Sequence, residues 1–183
     1  MNKPSERQPS ATRNAKACSA PLPPSPWDDL QPSGEGLIVH DFLTTLVTHA
    51  ANGLRRNITV PYADAHGLSV SEWRMLSVLA HAGTLSFSEL VVEAVADKAQ
   101  VSRSLRLLQE RGLVKLDEEE PGSRKKLQCR ISRKGKALYE TVMQVARASQ
   151  ARMILQLDPE ERRALYHTLK KLMRLCGEQG GSR

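Results

Sequence analysis

The sequence predicts a mainly α fold with a small β-hairpin, arranged as a winged helix-turn-helix lobe plus a helical dimerisation region. Three observations support this prediction. Four segments begin with a helix-capping pattern, a charged Pro-Gly stretch separates two short strand-like runs, and the resulting hairpin follows two short helices. Two short helices followed by a two-stranded hairpin are the typical layout of a winged helix-turn-helix.

The N-terminal region differs in composition from the rest of the chain. Seven of the ten prolines precede Gly36, among polar and basic residues with few apolar ones. Such a composition buries too little apolar surface to offset the entropy of ordering. We therefore predict a disordered tail over residues 1–35, a folded domain over 36–176 and a flexible C-terminus over 177–183.

The first helix is predicted from an apolar face that begins after Leu37, and Pro61 is expected to end it because proline disrupts a helix interior. Together with residues 133–176, the segment 36–62 forms the predicted dimerisation helices. The apolar residues of the first face, at helical spacing, are Val39, Phe42, Leu43, Leu46, Ala50, Leu54 and Ile58.

The later helix starts share one capping pattern: a side-chain oxygen followed three residues later by Glu or Gln, which satisfies backbone N–H groups. Pro159 also suits the first position of the last helix. The capping pairs are Ser69/Glu72, Ser86/Glu89, Asp97/Gln100 and Asp158/Glu161, and they predict helices near 69–82, 86–95, 97–111 and 158–176.

Between the third and the fourth of these helices, Leu113–Asp117 and Leu127–Ser132 are strand-like. The charged Pro-Gly segment between them predicts a turn, so the pair forms a hairpin with a protruding wing at 117–127. The predicted lobe spans residues 69–132. A long helix follows the hairpin, with Leu138, Val142, Val145, Met153 and Leu157 on its apolar face.

Basic residues are concentrated in the helix and hairpin at the centre of the chain. The chain carries a net charge of +7, and twelve basic but only five acidic residues lie between Lys98 and Lys136. This concentration suits contacts with phosphates. Aromatic residues make up only 4% of the chain, which disfavours single-strand binding by stacked bases.

The predicted helix 97–111 buries a narrow stripe of Val101, Leu105 and Leu108 and turns polar residues to the other side. Small and basic residues near a helix N-terminus suit base and phosphate contacts in a major groove. An ordinary solvated face with an Arg106/Glu110 pair is the alternative. Arg111 follows in the last turn of this helix, where we expect it to stabilise the negative end of the helix dipole rather than to contact DNA. The candidate DNA contacts are Lys98, Gln100, Ser102, Arg103 and Arg106, with Arg124, Lys125 and Lys126 of the wing.

Other functional classes find little support in the sequence. No apolar run is long enough for a membrane span, and no secretory signal is evident, so a cytoplasmic location is expected. We find no nucleophile elbow, P-loop, HExxH or dinucleotide motif, which argues against an enzyme and against a cofactor. The five histidines lack a helical metal-ligand spacing.

The chain resembles the MarR family of winged helix-turn-helix transcriptional regulators over roughly Leu37 to Cys176. The resemblance lies in the order and spacing of "LSVSEWRMLSVLA", "DKAQVSRSLRLLQERGLV", the wing "PGSRKK" and the strand-to-helix junction "ISRKGKAL". It implies a homodimer with interleaved first and last helices. It also implies a pseudo-palindromic double-stranded operator read in successive major grooves, roughly 34 Å apart.

The same resemblance assigns roles to individual residues. Ser102 and Arg103 match the family's Ser/Thr-Arg pair, and Arg124 matches the wing-tip arginine. Two positions depart from the family pattern, since Ser123 and Arg106 stand where carboxylates are common. We expect the missing carboxylates to weaken the usual bracing of the lobe and to make the DNA-facing side more positive.

Most members of the family repress genes and are released by a small aromatic or anionic ligand, which implies an aromatic carboxylate or phenolic effector here. On the first helix, His49, Asn52 and Arg56 share one edge, which is either an effector site or an ordinary boundary between core and solvent. We predict Arg56 as the counter-charge, Arg74 as a second candidate for that role, and Trp73 or Met75 as an apolar wall.

Two other functions and one further contact remain open. The lobe could bind protein rather than DNA, or the chain could respond to oxidation through Cys18, Cys129 or Cys176. Cys129 on a strand and Cys176 on an apolar stripe are more typical of inert packing. The tail could also act as a basic arm on DNA, through Lys3, Arg7, Arg13 and Lys16.

Overall fold

A computed structural model describes residues 23–118 and 127–180 of the chain. The predicted wing-tip contacts Arg124, Lys125 and Lys126 lie outside the described residues, as do Cys18, Ser123 and the four basic residues of the proposed N-terminal arm. The described chain divides into two compact units, one up to Leu46 and the other from Val47 onward.

The first unit contains turns, a short 3-10 turn at Val39–Asp41 and the beginning of helix α1 (Leu43–Leu54). The indole Nε1 of Trp27 donates a hydrogen bond of 2.9 Å to the backbone oxygen of Asp41. The boundary of the N-terminal tail at residue 35 stays a prediction.

The prediction that Pro61 ends the first helix is wrong, because the helical run continues from α1 to Asp64. A π turn at Arg55–Thr59 follows α1 and leads into α2 (Val60–Asp64), in which Pro61 occupies an early position. The N–H of Val60 closes the π turn by bonding to the Arg55 oxygen. Such a turn alters the bonding pattern ahead of the proline, so the ring is accommodated without ending the helix.

The remaining elements follow the predicted order, with one addition. They are α3 (Val70–Ala82), β1 (Thr84–Ser86), α4 (Phe87–Glu93), α5 (Lys98–Glu110), β2 (Val114–Glu118), β3 (Leu127–Ile131), α6 (Arg133–Ile154) and α7 (Pro159–Gly180).

The two predicted strands belong to a three-stranded antiparallel sheet of order β1-β3-β2. Strand β1 was not predicted. It spans only three residues, and it pairs Leu85 with Cys129, whose other neighbour is Leu116 on β2. The mainly helical architecture with a small sheet confirms the predicted fold class.

The predicted capping patterns form as hydrogen bonds. Ser69 and Ser86 each accept from the backbone N–H three residues on, and the Glu at that position accepts in return. The Asp158/Glu161 box at α7 also forms in both directions. At α5 only half of the box is present, because Asp97 accepts from the Gln100 backbone.

The core of the second unit lies between α3, α4, α5, the sheet and α6. Leu76, Leu79, Leu90 and Leu108 have no exposed surface. The α5 stripe predicted from helical spacing is buried as expected, with Val101 and Leu105 at most 1% exposed. This core fixes which side of α5 faces outward.

Helix α7 differs from the lobe because none of residues 159–177 is buried. Its apolar residues nevertheless recur at helical spacing, and Leu165, Leu169 and Met173 expose 48%, 43% and 66% of their surface. A water-facing stripe of this length is a candidate contact surface for a protein partner.

The turn between α4 and α5 contains a strained residue. Val95 has a φ of +49° and is 84% exposed. This left-handed region costs an L-residue about 1–2 kcal/mol and suits a β-branched side chain least.

We expect Val95→Gly to raise the free energy of unfolding by about 0.5–1 kcal/mol, since the relieved strain exceeds the added entropy of the unfolded chain. Urea denaturation followed by circular dichroism measures this. The matched control is Val92→Gly, another exposed valine but within α4, where glycine should destabilise by a similar amount. Destabilisation by both substitutions would contradict strain at Val95.

Candidate nucleic-acid interface and cavity

Helix α5 is positioned by its N-cap and by a contact with α3. The Asp97 carboxylate accepts the Gln100 backbone N–H at 2.8 Å, and the Gln100 side-chain Nε2 donates to Ser71 Oγ at 2.8 Å. Gln100 was predicted as a DNA contact, but its half-buried amide docks α5 onto α3. The sequence offered no signal for this contact, because its partner is 29 residues away.

The outward side of α5 carries the other predicted contacts. Lys98, Ser102, Arg103 and Arg106 are all exposed. By helical spacing, Arg103 and Arg106 lie on the side away from the buried stripe. A helix with one packed side and one basic side has the form of a helix that enters a major groove.

Arg106 makes the ion pair that the alternative interpretation expected. Its Nε lies 3.7 Å from Glu110 Oε1, with side chains 72% and 62% exposed. An exposed pair of this kind contributes about 0.3–0.5 kcal/mol to stability, so it holds the guanidinium only weakly.

Arg111 has a structural role, as the sequence indicated, although through different partners. Its Nη1 donates to the Gly67 carbonyl at 2.7 Å and to Glu72 Oε1 at 3.3 Å. The nearly buried Glu72 also accepts the Ser69 backbone N–H through Oε2. One carboxylate therefore caps α3 and anchors the end of α5.

The described part of the hairpin carries its own ion pair. Arg130 Nη2 on β3 lies 2.7 Å from Asp117 Oδ2 on β2, and Arg130 faces Lys115 in the strand register. The Asp117 carboxylate offsets the repulsion of the two neighbouring cations. Lys115 and Arg130 are both exposed and share one carboxylate, so this edge of the hairpin keeps a net positive charge.

A cavity of about 540 Å³ lies between the end of α1, the π turn, α2 and α3. Tyr62 and Trp73 form an edge-on aromatic pair with ring centroids 5.7 Å apart, and Trp73 also stacks on Tyr139 at 5.6 Å. The cavity is lined by Ala51, Asn52, Leu54, Arg55, Thr59, Tyr62, Val70, Trp73, Arg74 and Ser77.

Three of the six predicted effector residues line this cavity, namely Asn52, Trp73 and Arg74. His49 and Arg56 are exposed and not among its lining residues, and Met75 is fully buried in the core. Arg55 takes the place expected for Arg56, since consecutive helical residues point about 100° apart. Sequence periodicity identified the helix, but Arg55 rather than Arg56 lines the cavity, and the role of either arginine in binding an effector stays a prediction.

Arg74 also reaches beyond the cavity. Its Nη1 donates to the backbone oxygen of Ala94 at 3.3 Å, at the end of α4. The side chain thus connects α3 to the turn that precedes α5.

The described cysteines occupy different environments. Cys129 is fully buried in the sheet, and burial raises the pKa of its thiol to about 11. The thiolate is the reactive form, so a raised pKa leaves Cys129 unreactive near neutral pH. Cys176 on α7 is exposed.

We expect iodoacetamide at pH 8 to leave Cys129 of the folded protein unmodified. Peptide mass spectrometry measures the extent of labelling at Cys129. In the urea-unfolded chain, where the burial that raises the Cys129 pKa is lost, Cys129 and Cys176 should react at comparable rates. Rapid labelling of Cys129 in the folded chain would contradict its burial.

Two further properties concern only the described segments. Across residues 23–118 and 127–180, no group of three or more His, Cys, Asp and Glu side chains is arranged to hold a metal ion. None of the helices described there is long and apolar enough to cross a membrane.

Comparison with known proteins agrees with this architecture. Residues 66–125 match the family model described as the MarR family. The chain is 26% identical over 126 residues to the uncharacterized HTH-type transcriptional regulator YdgJ of Bacillus subtilis, covering 69% of this chain and 76% of that protein. It is 23% identical over 137 residues to the homoprotocatechuate degradative operon repressor of Escherichia coli, covering 75% and 91%.

A solved structure also matches. The MarR family protein Rv2887 of Mycobacterium tuberculosis, crystallised with salicylic acid, superposes with a TM-score of 0.59 at 26% identity. The match covers 72% of this chain and 96% of that one.

Proposed function

We propose that the chain is a member of the MarR family of winged helix-turn-helix transcriptional regulators, which are not enzymes, and that it acts as a ligand-released repressor. As a homodimer it binds a pseudo-palindromic operator, with one α5 in each of two successive major grooves. A small aromatic acid in the cavity beside α3 weakens this binding.

The outward side of α5 is the observation that carries the proposal. The helix is fixed by its buried stripe, its N-cap and the Gln100–Ser71 bond, and it leaves Ser102, Arg103 and Arg106 exposed. Arginine can donate two hydrogen bonds to guanine, and serine can contact a base or a phosphate. The basic residues of the hairpin add favourable contacts with the phosphates of the DNA backbone.

The homodimer is supported by the exposed stripe of α7. Leu165 and Leu169 are nearly half exposed, and burying them in a contact stabilises that contact by about 25 cal/mol for each Å² of apolar surface removed from water. A second copy offers the same stripe, so the contact is self-complementary, as in a two-fold dimer. The dimer then places two α5 helices on a symmetric site.

The effector is supported by the chemistry of the cavity. Aromatic rings of Tyr62 and Trp73 suit an aromatic ligand, and the guanidinium groups of Arg55 and Arg74 suit its carboxylate. A volume of about 540 Å³ falls within the usual range for small-ligand sites. The salicylic acid bound by the Mycobacterium tuberculosis relative is of this class.

The repressor function is tested with duplexes selected from random DNA. We expect the full-length chain to bind the best duplex with a stoichiometry of two chains, measured by fluorescence anisotropy and by analytical ultracentrifugation of the complex. Equal affinity for the selected duplex and for a scrambled duplex of the same composition would contradict sequence-specific binding. Placing the duplex before a reporter promoter then distinguishes repression from activation.

The effector is tested on the same complex. Salicylate and 4-hydroxyphenylacetate are titrated into it, with benzyl alcohol as an uncharged aromatic control. Release by an acid but not by the alcohol is the expected result, because only the acid carries an anionic partner for the cavity arginines. If neither acid lowers operator affinity at millimolar concentration, the proposed aromatic-acid effector is contradicted.

A further inference from the structure

Arg74 occupies a position that connects the cavity to the recognition helix. Its side chain lines the cavity, and its Nη1 also donates to the Ala94 carbonyl at 3.3 Å. Ala94 directly follows α4, and Asp97, the N-cap of α5, lies three residues further on. One guanidinium thus contacts both the effector cavity and the backbone that sets the start of α5.

The turn that Arg74 holds is the strained one. Val95, next to Ala94, has a φ of +49°. The backbone bonds of the turn include Val95 N–H to the Val92 oxygen at 3.0 Å and a longer one from Ala96 to Val91 at 3.4 Å. A strained conformation persists only where its surroundings hold it, so the loss of one stabilising bond has a large effect there.

We propose that Arg74 is the residue through which an anion in the cavity changes the position of α5. In the DNA-binding form Arg74 donates to Ala94, and a bound carboxylate draws the guanidinium away. A charge-assisted, bidentate bond to a carboxylate is stronger than a single bond to a neutral carbonyl. Released from Arg74, the turn relaxes at Val95, and the N-terminus of α5 leaves the geometry that fits the groove.

This inference rests on the proposed function, and it assigns different roles to the two cavity arginines. Arg55 lies in the π turn, which leads into α2 rather than into α5. It binds the anion, whereas Arg74 both binds the anion and positions α5. A ligand shifts a two-state equilibrium only through such a difference between its contacts in the two states.

The test compares Arg74→Ala with Arg55→Ala, which removes the same charge from the same cavity. Without ligand, we expect Arg74→Ala to weaken operator binding about fivefold to tenfold, as the loss of one stabilising hydrogen bond per subunit implies. Within the part of the chain that the structure describes, Arg55 makes no hydrogen bond to the turn before α5, so we expect Arg55→Ala to weaken ligand-free operator binding less than Arg74→Ala does. Anisotropy with the selected duplex measures both.

Saturating salicylate provides a second readout that a merely structural role would not affect. The wild type and Arg55→Ala should lose operator affinity by the same factor once saturated, about tenfold, whereas Arg74→Ala should lose almost none. Saturation is followed by the fluorescence of Trp73 in a Trp27→Phe background, since the chain has only these two tryptophans. Hydrogen exchange at residues 94–97 should increase with saturating salicylate in the wild type and in Arg55→Ala, but not in Arg74→Ala.

The outcomes separate this inference from the function on which it rests. Equal ligand-free operator affinities for the two variants, or equal release by saturating salicylate, would overturn the role of Arg74 even though the wild type is a ligand-released repressor. A wild type that binds no specific duplex, or that salicylate and 4-hydroxyphenylacetate do not release, contradicts the proposed function itself.

Discussion

Arg103→Ala is expected to abolish most of the sequence-specific DNA affinity of the protein while leaving its fold intact. The side chain is exposed on α5, so its removal leaves the core unchanged. A bidentate arginine contact with a base contributes about 1–3 kcal/mol, and a homodimer loses two of them. Anisotropy with the selected duplex should therefore show a loss of roughly 2–6 kcal/mol in binding free energy.

The control for Arg103→Ala is Arg147→Ala, which removes an exposed arginine of α6 and therefore the same charge. We expect this variant to bind the operator nearly as the wild type does. The comparison also decides between DNA and a protein as the partner of the lobe. If Arg103→Ala and Arg147→Ala bound the operator equally well, the outward side of α5 would not be the DNA-reading surface.

Gly135→Ala is expected to destabilise the fold strongly, although it adds only one methyl group. Gly135 lies in the first turn of α6, where its N–H donates to the Ser132 hydroxyl at 2.9 Å. A Cβ at this position would overlap the carbonyl oxygen of Leu113 and would lie 3.0 Å from Ile131 Cγ1. That carbonyl also accepts the Ser132 N–H, so it cannot move without breaking the junction of hairpin and helix.

Overpacking against a fixed backbone costs about 3 kcal/mol, and the better helix propensity of alanine recovers roughly 1 kcal/mol of it. Urea denaturation of Gly135→Ala should thus show a net loss of about 2 kcal/mol in the free energy of unfolding. The matched control is Gly177→Ala on α7, where a Cβ would meet no described atom within 4 Å. Alanine there should be neutral or slightly stabilising, and equal behaviour of both variants would contradict the close approach at Gly135.

Local chemistry explains why much of the fold could be predicted. A capping box involves residues only three positions apart, so Ser69, Ser86 and Asp158 marked their helices directly. The buried side of α5 follows from helical spacing in the same way. Strand β1 was missed because three residues show no periodicity, and its pairing with β3 depends on residues more than 40 positions away.

The cavity could be predicted only in part, for a related reason. Periodicity placed Asn52 near a binding edge, but whether Arg55 or Arg56 faces α3 depends on how the helices pack. The π turn that carries both arginines has no clear signature in a single sequence. The contacts of Gln100 with Ser71 and of Arg74 with Ala94 join distant segments, so only the folded chain reveals them.

The sequence motif that the full-length protein enriches from random duplex DNA tests most directly whether two copies of α5 read a symmetric DNA site. We expect an inverted repeat with half-site centres about one helical turn apart, roughly 10 base pairs. We also expect Arg103→Ala to lose this enrichment. Recovery of no motif, or of one without two-fold symmetry, would show that the two α5 helices do not read a symmetric site.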